Sequence, residues 1–300
     1  MNQKIQDKIN NLNQCSDCVD VKIKKFTPIV DFPDYSKLDK DFHKCSCGKR
    51  PLDVVMSHIL KIMIEEDVVN QNAILRRNSP IPMPAFCYSN FNPQFIGSDD
   101  LILIHPDFNE NVALRLFNEV PEVKGVLKGS GSDTVGILNR NSDNFEFELL
   151  AGESDRVDVL RTLIKDLIII SKNQKNSHIE VASTTEVKLL NLYNYLENEN
   201  INKGIAIDGM CGSGAIGIFL LKYGFKKVIF NDINPQAIEN LKVNLKLNNI
   251  EDDLYEIYNE SIEDLTVPNV DLAIIDAFPG VDISEIEEKL VGVSKNIFII

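Results

Sequence analysis

The run AIDGMCGSGAIGIFLL, Ala206 to Leu221, decides the fold. Gly212, Gly214 and Gly217 spell G-x-G-x-x-G, the fingerprint of a strand-to-helix turn in dinucleotide-binding folds. In such a turn the first glycine follows the strand almost at once, because the helix N-terminus must meet a pyrophosphate. Here Asp208 closes the apolar run, and Gly209, Met210 and Cys211 lengthen the turn before Gly212. A carboxylate pointing into this turn repels a pyrophosphate. It suits a ligand that carries an ammonium and no phosphate.

Outward from this stretch the pattern alternates. GIAID, KVIFND, YEIYNE, DLAIID and NIFII read as strands from Gly204 to Ile300. The segments between the first three and between the last two have helical period. This predicts an α/β fold, a doubly wound Rossmann-like sheet at the C-terminus. Asp232 ends the second strand in FNDINP, where an acid accepts both ribose hydroxyls. That acid serves NAD and S-adenosylmethionine alike, so Asp208 discriminates and favours the cationic S-adenosylmethionine. A bare terminal strand invites aggregation, so NIFII is expected to be covered, either by the strand-rich segment 123–150, the favoured cover, or by the same edge of a second subunit.

Residues 204–280 resemble class I S-adenosylmethionine-dependent methyltransferases, in which D-x-x-x-G-x-G follows the first strand. DGMCGSG looks like the D-P-M-C-G-S-G form of RNA guanine-N2 methyltransferases, with Gly209 in place of the proline. NDINPQAIENLKVNLKLNN is similar to the second motif of archaeal tRNA methyltransferases, including the guanosine N1-methylating family. FELLAGE at 147–153 is similar to a stretch ahead of the catalytic domain in that family. The resemblance implies that Asp208, Gly212 and Gly214 contact the methionine moiety, Asp232 the ribose and Glu260 the adenine. After the fourth strand, Asp276-Ala277-Phe278-Pro279-Gly280 stands where amine-methylating enzymes carry N-P-P-Y or D-P-P-Y. Asp276 and Phe278 are the candidate catalytic pair, the acid to accept a hydrogen bond or proton and the ring to stack on a flat acceptor. The expected activity is methyl transfer to RNA, most plainly tRNA. A protein side chain or a small metabolite stays open as acceptor, and so does a silent binding scaffold.

The remainder of the chain divides into a cysteine-rich module over 1–50 and an α+β accessory region over 51–180, ahead of the cofactor domain over 181–300. Cys15-Ser-Asp-Cys18 and Cys45-Ser-Cys47 offer four thiolates for a metal knuckle, zinc first, with an iron–sulfur cluster open to the same ligands. A helix is expected from Pro51, then a loop at NSPIPMPAF, then an antiparallel sheet from VKGVL, TVGIL (134–138) and FEFELL. DRVDVLRTLIKDLIII is expected to be helical. Ser183-Thr184-Thr185-Glu186 reads as a capping box, opening a helix with Val187, Leu190 and Tyr193 on its apolar face.

The net charge of −14 is uneven. Residues 1–50 hold ten Lys/Arg against seven Asp, and residues 251–300 hold thirteen Asp/Glu against two Lys. An acidic body repels phosphate backbones and leaves RNA to a small basic module. The polar N-terminus, the lack of a membrane-length apolar run and the reduced-thiol pattern point to a cytoplasmic protein.

Overall fold

The computed structural model describes residues 3–12, 14–88, 94–133, 135, 146–277 and 282–300. The chain forms two compact units, one of residues 1–86, 91–133 and 147–156, the other of 87–90, 134–146 and 157–300. Helices and strands are numbered in chain order.

In the first unit, α1 (Gln3–Asn11) precedes β1 (Arg50–Pro51), which pairs antiparallel with β4 (Phe95–Ile96). Pro51 fixes the entry to α2 (Leu52–Glu65). Ten of the residues of α2, from Val54 to Ile64, are buried, so the helix is a core element rather than a surface one. A short α3 (Leu75–Asn78) follows. The expected proline loop then becomes β2 (Ile81–Pro84), an edge strand. Pro82 and Pro84 lack the N–H that a central strand would need, which confines this segment to the edge.

The four-stranded sheet runs β2, β5 (Leu101–His105), β6 (Val123–Lys128), β7 (Glu148–Gly152). It is mixed rather than antiparallel throughout. β5 and β6 run parallel across α4 (Glu110–Glu119), while β6 and β7 are antiparallel as expected. TVGIL, apart from Val135, lies outside the described residues. The cysteine-rich segment does not fold apart from this unit: Ile29 and Leu38 are buried in its core. Arg50, fully buried, donates to both oxygens of Glu122 at 2.8 and 2.5 Å.

The second unit contains the three-stranded sheet β3 (Phe86–Tyr88), β8 (Asp155–Arg161), β9 (Leu167–Asn173). The helix expected over DRVDVLRTLIKDLIII is therefore a hairpin. Its turn holds Lys165 at φ +61°, which no helix accommodates, and the hydroxyl of Thr162 donates to the carbonyl of Asp166 at 2.7 Å. β-branched residues on both sides of that turn do the rest. α5 (Ala182–Asn198) forms without the capping box: Val181 occupies the cap, and Glu186 accepts the backbone N–H of Arg161 at 2.8 Å. Its buried stripe is Thr185, Leu189, Leu192 and Leu196, whereas Val187 and Leu190 face solvent.

The main sheet then assembles as expected. β10 (Ile205–Asp208), α6 (Ala215–Tyr223), β11 (Lys227–Asn231), α7 (Pro235–Leu247), β12 (Tyr255–Tyr258), β13 (Leu272–Ile275), α8 (Ser284–Val291) and β14 (Ile297–Ile299) alternate along the chain. The strands are parallel, in the order β12-β11-β10-β13-β14. The order reverses between β10 and β13, which opens a crevice at the carboxyl ends of those strands. Asn244 of α7 and Asn248, which caps its C-terminus one turn later, bind β9 as another strand would. Each amide accepts an N–H and donates to the C=O of one residue, Ser171 and Ile169 respectively, at 2.7–3.0 Å. Among the described residues β14 pairs with β13 alone, so the described part of segment 123–150 does not pair with it; Tyr195 of α5 packs on Phe298 with ring centroids 4.8 Å apart.

Candidate functional site

The crevice is a cavity of about 940 Å³ within the second unit. Its floor is the turn from Gly209 to Ser213, held by three backbone bonds: Gly209 N–H to Ile274 (3.2 Å), Cys211 N–H to Asn231 (2.9 Å) and Gly214 N–H to Cys211 (2.8 Å). Gly212 has φ +52° with open space where a Cβ would stand, so its backbone faces the cavity bare. Gly214, at φ +90°, sits behind the turn, where a Cβ would lie 2.3 Å from Leu241 Cδ1. Asn244 ties the turn to α7 by donating to the carbonyl of Ser213 at 2.9 Å.

Asp208 lies beneath this floor and is fully buried. Its Oδ2 accepts the N–H of Gly217 in the first turn of α6 at 2.8 Å, and Oδ1 has no hydrogen-bond partner among the described residues. Burial raises its pKa to about 7. Asp232 does reach the cavity, accepting the N–H groups of Gly212 and Asn234 at 2.8 Å each; burial outweighs them and raises its pKa. Its neighbour Asn231 donates to the carbonyls of Gly209 and Glu260 at 3.1 Å, and its own buried Oδ1 has no partner among the described residues. The side chain of Glu260 is exposed and outside the cavity wall, which Ser261, Ile262 and Glu263 form at that point. Strand β12 ends two residues earlier, which turns the residue outward.

Asp276, at the end of β13, lines the cavity, while Phe278 lies outside the described residues. Lys188 of α5 donates to both oxygens of Asp276, at 3.0 and 2.9 Å, and lies 3.2 Å from Glu180. Burial raises the pKa of Asp276 against the pull of Lys188. Burial also pulls Lys188 down, but the two carboxylates win and hold it above its ordinary value. Asp158 and Lys172 add a buried ion pair at 3.0 Å to the same wall. Neither Lys188 nor this pair carries a local sequence signal, because their partners arrive from other elements. Asn231 had one, standing beside Asp232 in FNDINP.

In the first unit the sulfur atoms of Cys15, Cys18, Cys45 and Cys47 lie within 4.8 Å of one another. Successive pairs are 3.5–3.7 Å apart. Two tight turns present them, Cys18 N–H to Cys15 C=O at 3.2 Å and Gly48 N–H to Cys45 C=O at 2.9 Å. The backbone N–H of Cys47 lowers the Cys45 thiol to about 6, while burial pushes Cys18 up to about 12. His43 is not part of the group; its ring packs edge-on against Phe42.

The sequence model of the ribosomal protein L11 methyltransferase family (PrmA) matches residues 182–286. The chain is 32% identical over 118 residues to the tRNA (guanine(37)-N(1))-methyltransferase of Caenorhabditis elegans, which covers 39% of the chain and 23% of that protein. It is 43% identical over 61 residues to the ribosomal protein L11 methyltransferase of Acinetobacter baumannii, covering 20% of each. A solved structure of the Pyrococcus abyssi tRNA (uracil-54, C5)-methyltransferase in complex with S-adenosyl-L-homocysteine aligns over 75% of the chain and 50% of its own, at 19% identity and a TM-score of 0.46. The chain spans less than a third of the length of the first curated relatives it matches. The matched span from α5 into α8 contains DGMCGSG and NDINPQ, so the methyltransferase resemblance read from those motifs is borne out.

Proposed function

We propose that the chain is an S-adenosylmethionine-dependent methyltransferase acting on tRNA. The observation that carries the cofactor is the Gly-turn of the cavity, lined by Asp232, by the bare backbone of Gly212 and by Asn231, whose buried Oδ1 has no partner among the described residues. A buried acceptor is costly unless a donor meets it. S-adenosylmethionine brings an ammonium, an amino group and ribose hydroxyls, and a pyrophosphate brings only acceptors. The bare backbone of Gly212 leaves room for the ligand, Asp232 is placed for the ribose, and Ser261 and Ile262 stand beside it for the adenine in place of Glu260. Asp208 and Gly214 act from behind the turn, by charge and by shape.

The bound cofactor supplies a methyl group on a cationic sulfur, open to in-line displacement. The protein's share is alignment and exclusion of water. Asp276 accepts a hydrogen bond from the acceptor N–H and takes its proton as the new bond forms. Lys188 fixes the carboxylate for that task. The relatives divide between tRNA and a ribosomal protein as acceptor, and the longer matches are with the tRNA enzymes. Incubation with methyl-labelled cofactor and separated tRNA and ribosomal-protein pools tests the reading. Label in tRNA supports it; label confined to ribosomal protein replaces it with the second acceptor.

Four thiolates about a zinc ion, with Zn–S near 2.3 Å, stand about 3.8 Å apart at the corners of a tetrahedron. The observed separations fit, and we assign the cluster to a structural zinc. Reduced thiols of this kind agree with a cytoplasmic location.

Two results are expected at the cofactor site. Asp232→Ala should weaken S-adenosylmethionine binding by about 1–3 kcal/mol, roughly fivefold to 150-fold, in a calorimetric titration. Unchanged affinity would remove Asp232 from the site. The second concerns pH. Asp208 is neutral in the free protein below about 7. A raised carboxyl pKa means that the unliganded fold loses stability as pH climbs from about 4 toward that value. A cation in the cavity favours the ionised form, so affinity should rise as pH increases through about 7, with a proton released on binding. Asp208→Asn should remove both effects; titrations in buffers of different ionisation enthalpy would show whether it does.

A further inference from the structure

Two segments of the first unit lie side by side. Pro28 bridges Ile74 in antiparallel fashion, the N–H of Ile29 meets the carbonyl of Ala73 at 2.9 Å, and that of Arg76 meets the carbonyl of Lys25 at 3.1 Å. Ile23 and Leu75 are buried beneath them. What remains outside is Lys22, Lys24, Lys25, Phe26, Arg76 and Arg77, all exposed. Among the described residues, Lys25 alone of the five cations is in an ion pair, with Asp53 at 2.8 Å. Asp20, the nearest acid before them in sequence, is turned to the N–H of Val21.

Five cations gathered on one strip of a chain of net charge −14 is a segregation that solubility does not require. Phe26 sharpens the point. It is 74% exposed, and leaving a phenylalanine in water forgoes the free energy of burying its ring. Cations that track a phosphate backbone, with an aromatic face for an unstacked base, are the two parts of a single-strand or loop-binding surface. A lipid surface also takes cations and an aromatic ring, but interfacial binding is built on an amphipathic helix, and these residues come mainly from an extended segment.

We propose that the strip formed by Lys22–Phe26 and Arg76–Arg77 is an RNA-docking surface, which binds the phosphate backbone through its cations and an unpaired base through Phe26. The inference rests on the tRNA reading above and deepens it. The test is anisotropy of end-labelled tRNA with the full chain at a series of KCl concentrations, together with phosphatidylserine vesicles as a second probe. The quadruple variant Lys22→Ala, Lys24→Ala, Arg76→Ala, Arg77→Ala should bind at least about tenfold more weakly. Its slope of log affinity against log salt should be shallower by about 3. Phe26→Ala should lose about tenfold at every salt concentration with the slope unchanged. Because all these side chains are exposed, thermal unfolding should match the parent. A parent that binds tRNA while the quadruple variant keeps its slope overturns the strip and leaves the tRNA reading standing. A parent that binds no tRNA overturns both, and vesicle binding in that case hands the strip to a membrane.

Discussion

Replacing Gly217 with alanine is expected to destabilise the second unit by about 3 kcal/mol, with a fall of roughly 5–10 °C in its melting temperature. Helix propensity alone points the other way, since alanine in place of glycine within a helix gains about 1 kcal/mol. Packing decides the sign. A Cβ at Gly217 would lie 2.1 Å from Cε1 of Phe230, a ring fully buried on β11. α6 can then approach β11 closely only if this position has no side chain. The same residue's N–H holds Asp208, so a displaced helix also disturbs the charge beneath the cofactor turn. Phe230→Leu in the same chain should restore part of the loss. A single variant that melts at or above the parent temperature would show that the helix does not rest on Phe230 as described.

The second large effect is expected at the cysteines. Protein purified without added metal should carry about one zinc per chain, and Cys45→Ser or a strong chelator should remove it. Structural zinc sites bind with apparent energies of about 10–16 kcal/mol in peptides that fold only with metal. The first unit has an apolar core of its own, so only part of that energy will register as stability; a loss of several kcal/mol is expected. Arg50 explains why the loss should spread. It bonds Glu122, just ahead of β6, and the carbonyl of Asp39, fixing both ends of the loop that carries Cys45 and Cys47. A metal held by the four sulfurs would join that loop to Cys15 and Cys18. Elemental analysis with calorimetric melting checks this. A metal-free preparation that melts like the untreated one would reduce the cluster to four thiols.

The parallel sheet was legible because its strands are short apolar runs set apart by helices of clear period, and parallel strands buried on both faces read plainly. The Gly-turn and Asp232 were legible for a different reason: their chemistry is confined to a few adjacent residues. The hairpin over 155–173 was not. Its apolar run fits strand and helix equally in period, and the turn depends on Lys165 adopting a positive φ that no local rule assigns to lysine. Ser183–Glu186 shows the reverse failure. The capping pattern is present, but the helix begins at Ala182 and Glu186 is drawn to the backbone of Arg161. Lys188 could not be read at all, since Asp276, its partner, stands 88 residues away. The four cysteines were grouped correctly from two short spacings, because each pair needs only a tight turn.

Calorimetric titration of the full chain with S-adenosylmethionine and, separately, with NAD tests whether the cavity over Gly212 and Asp232 takes the first and refuses the dinucleotide. One S-adenosylmethionine should bind per chain, with proton release near neutral pH, and NAD should give no heat. Saturable NAD binding with none by S-adenosylmethionine would overturn the assignment of the cavity.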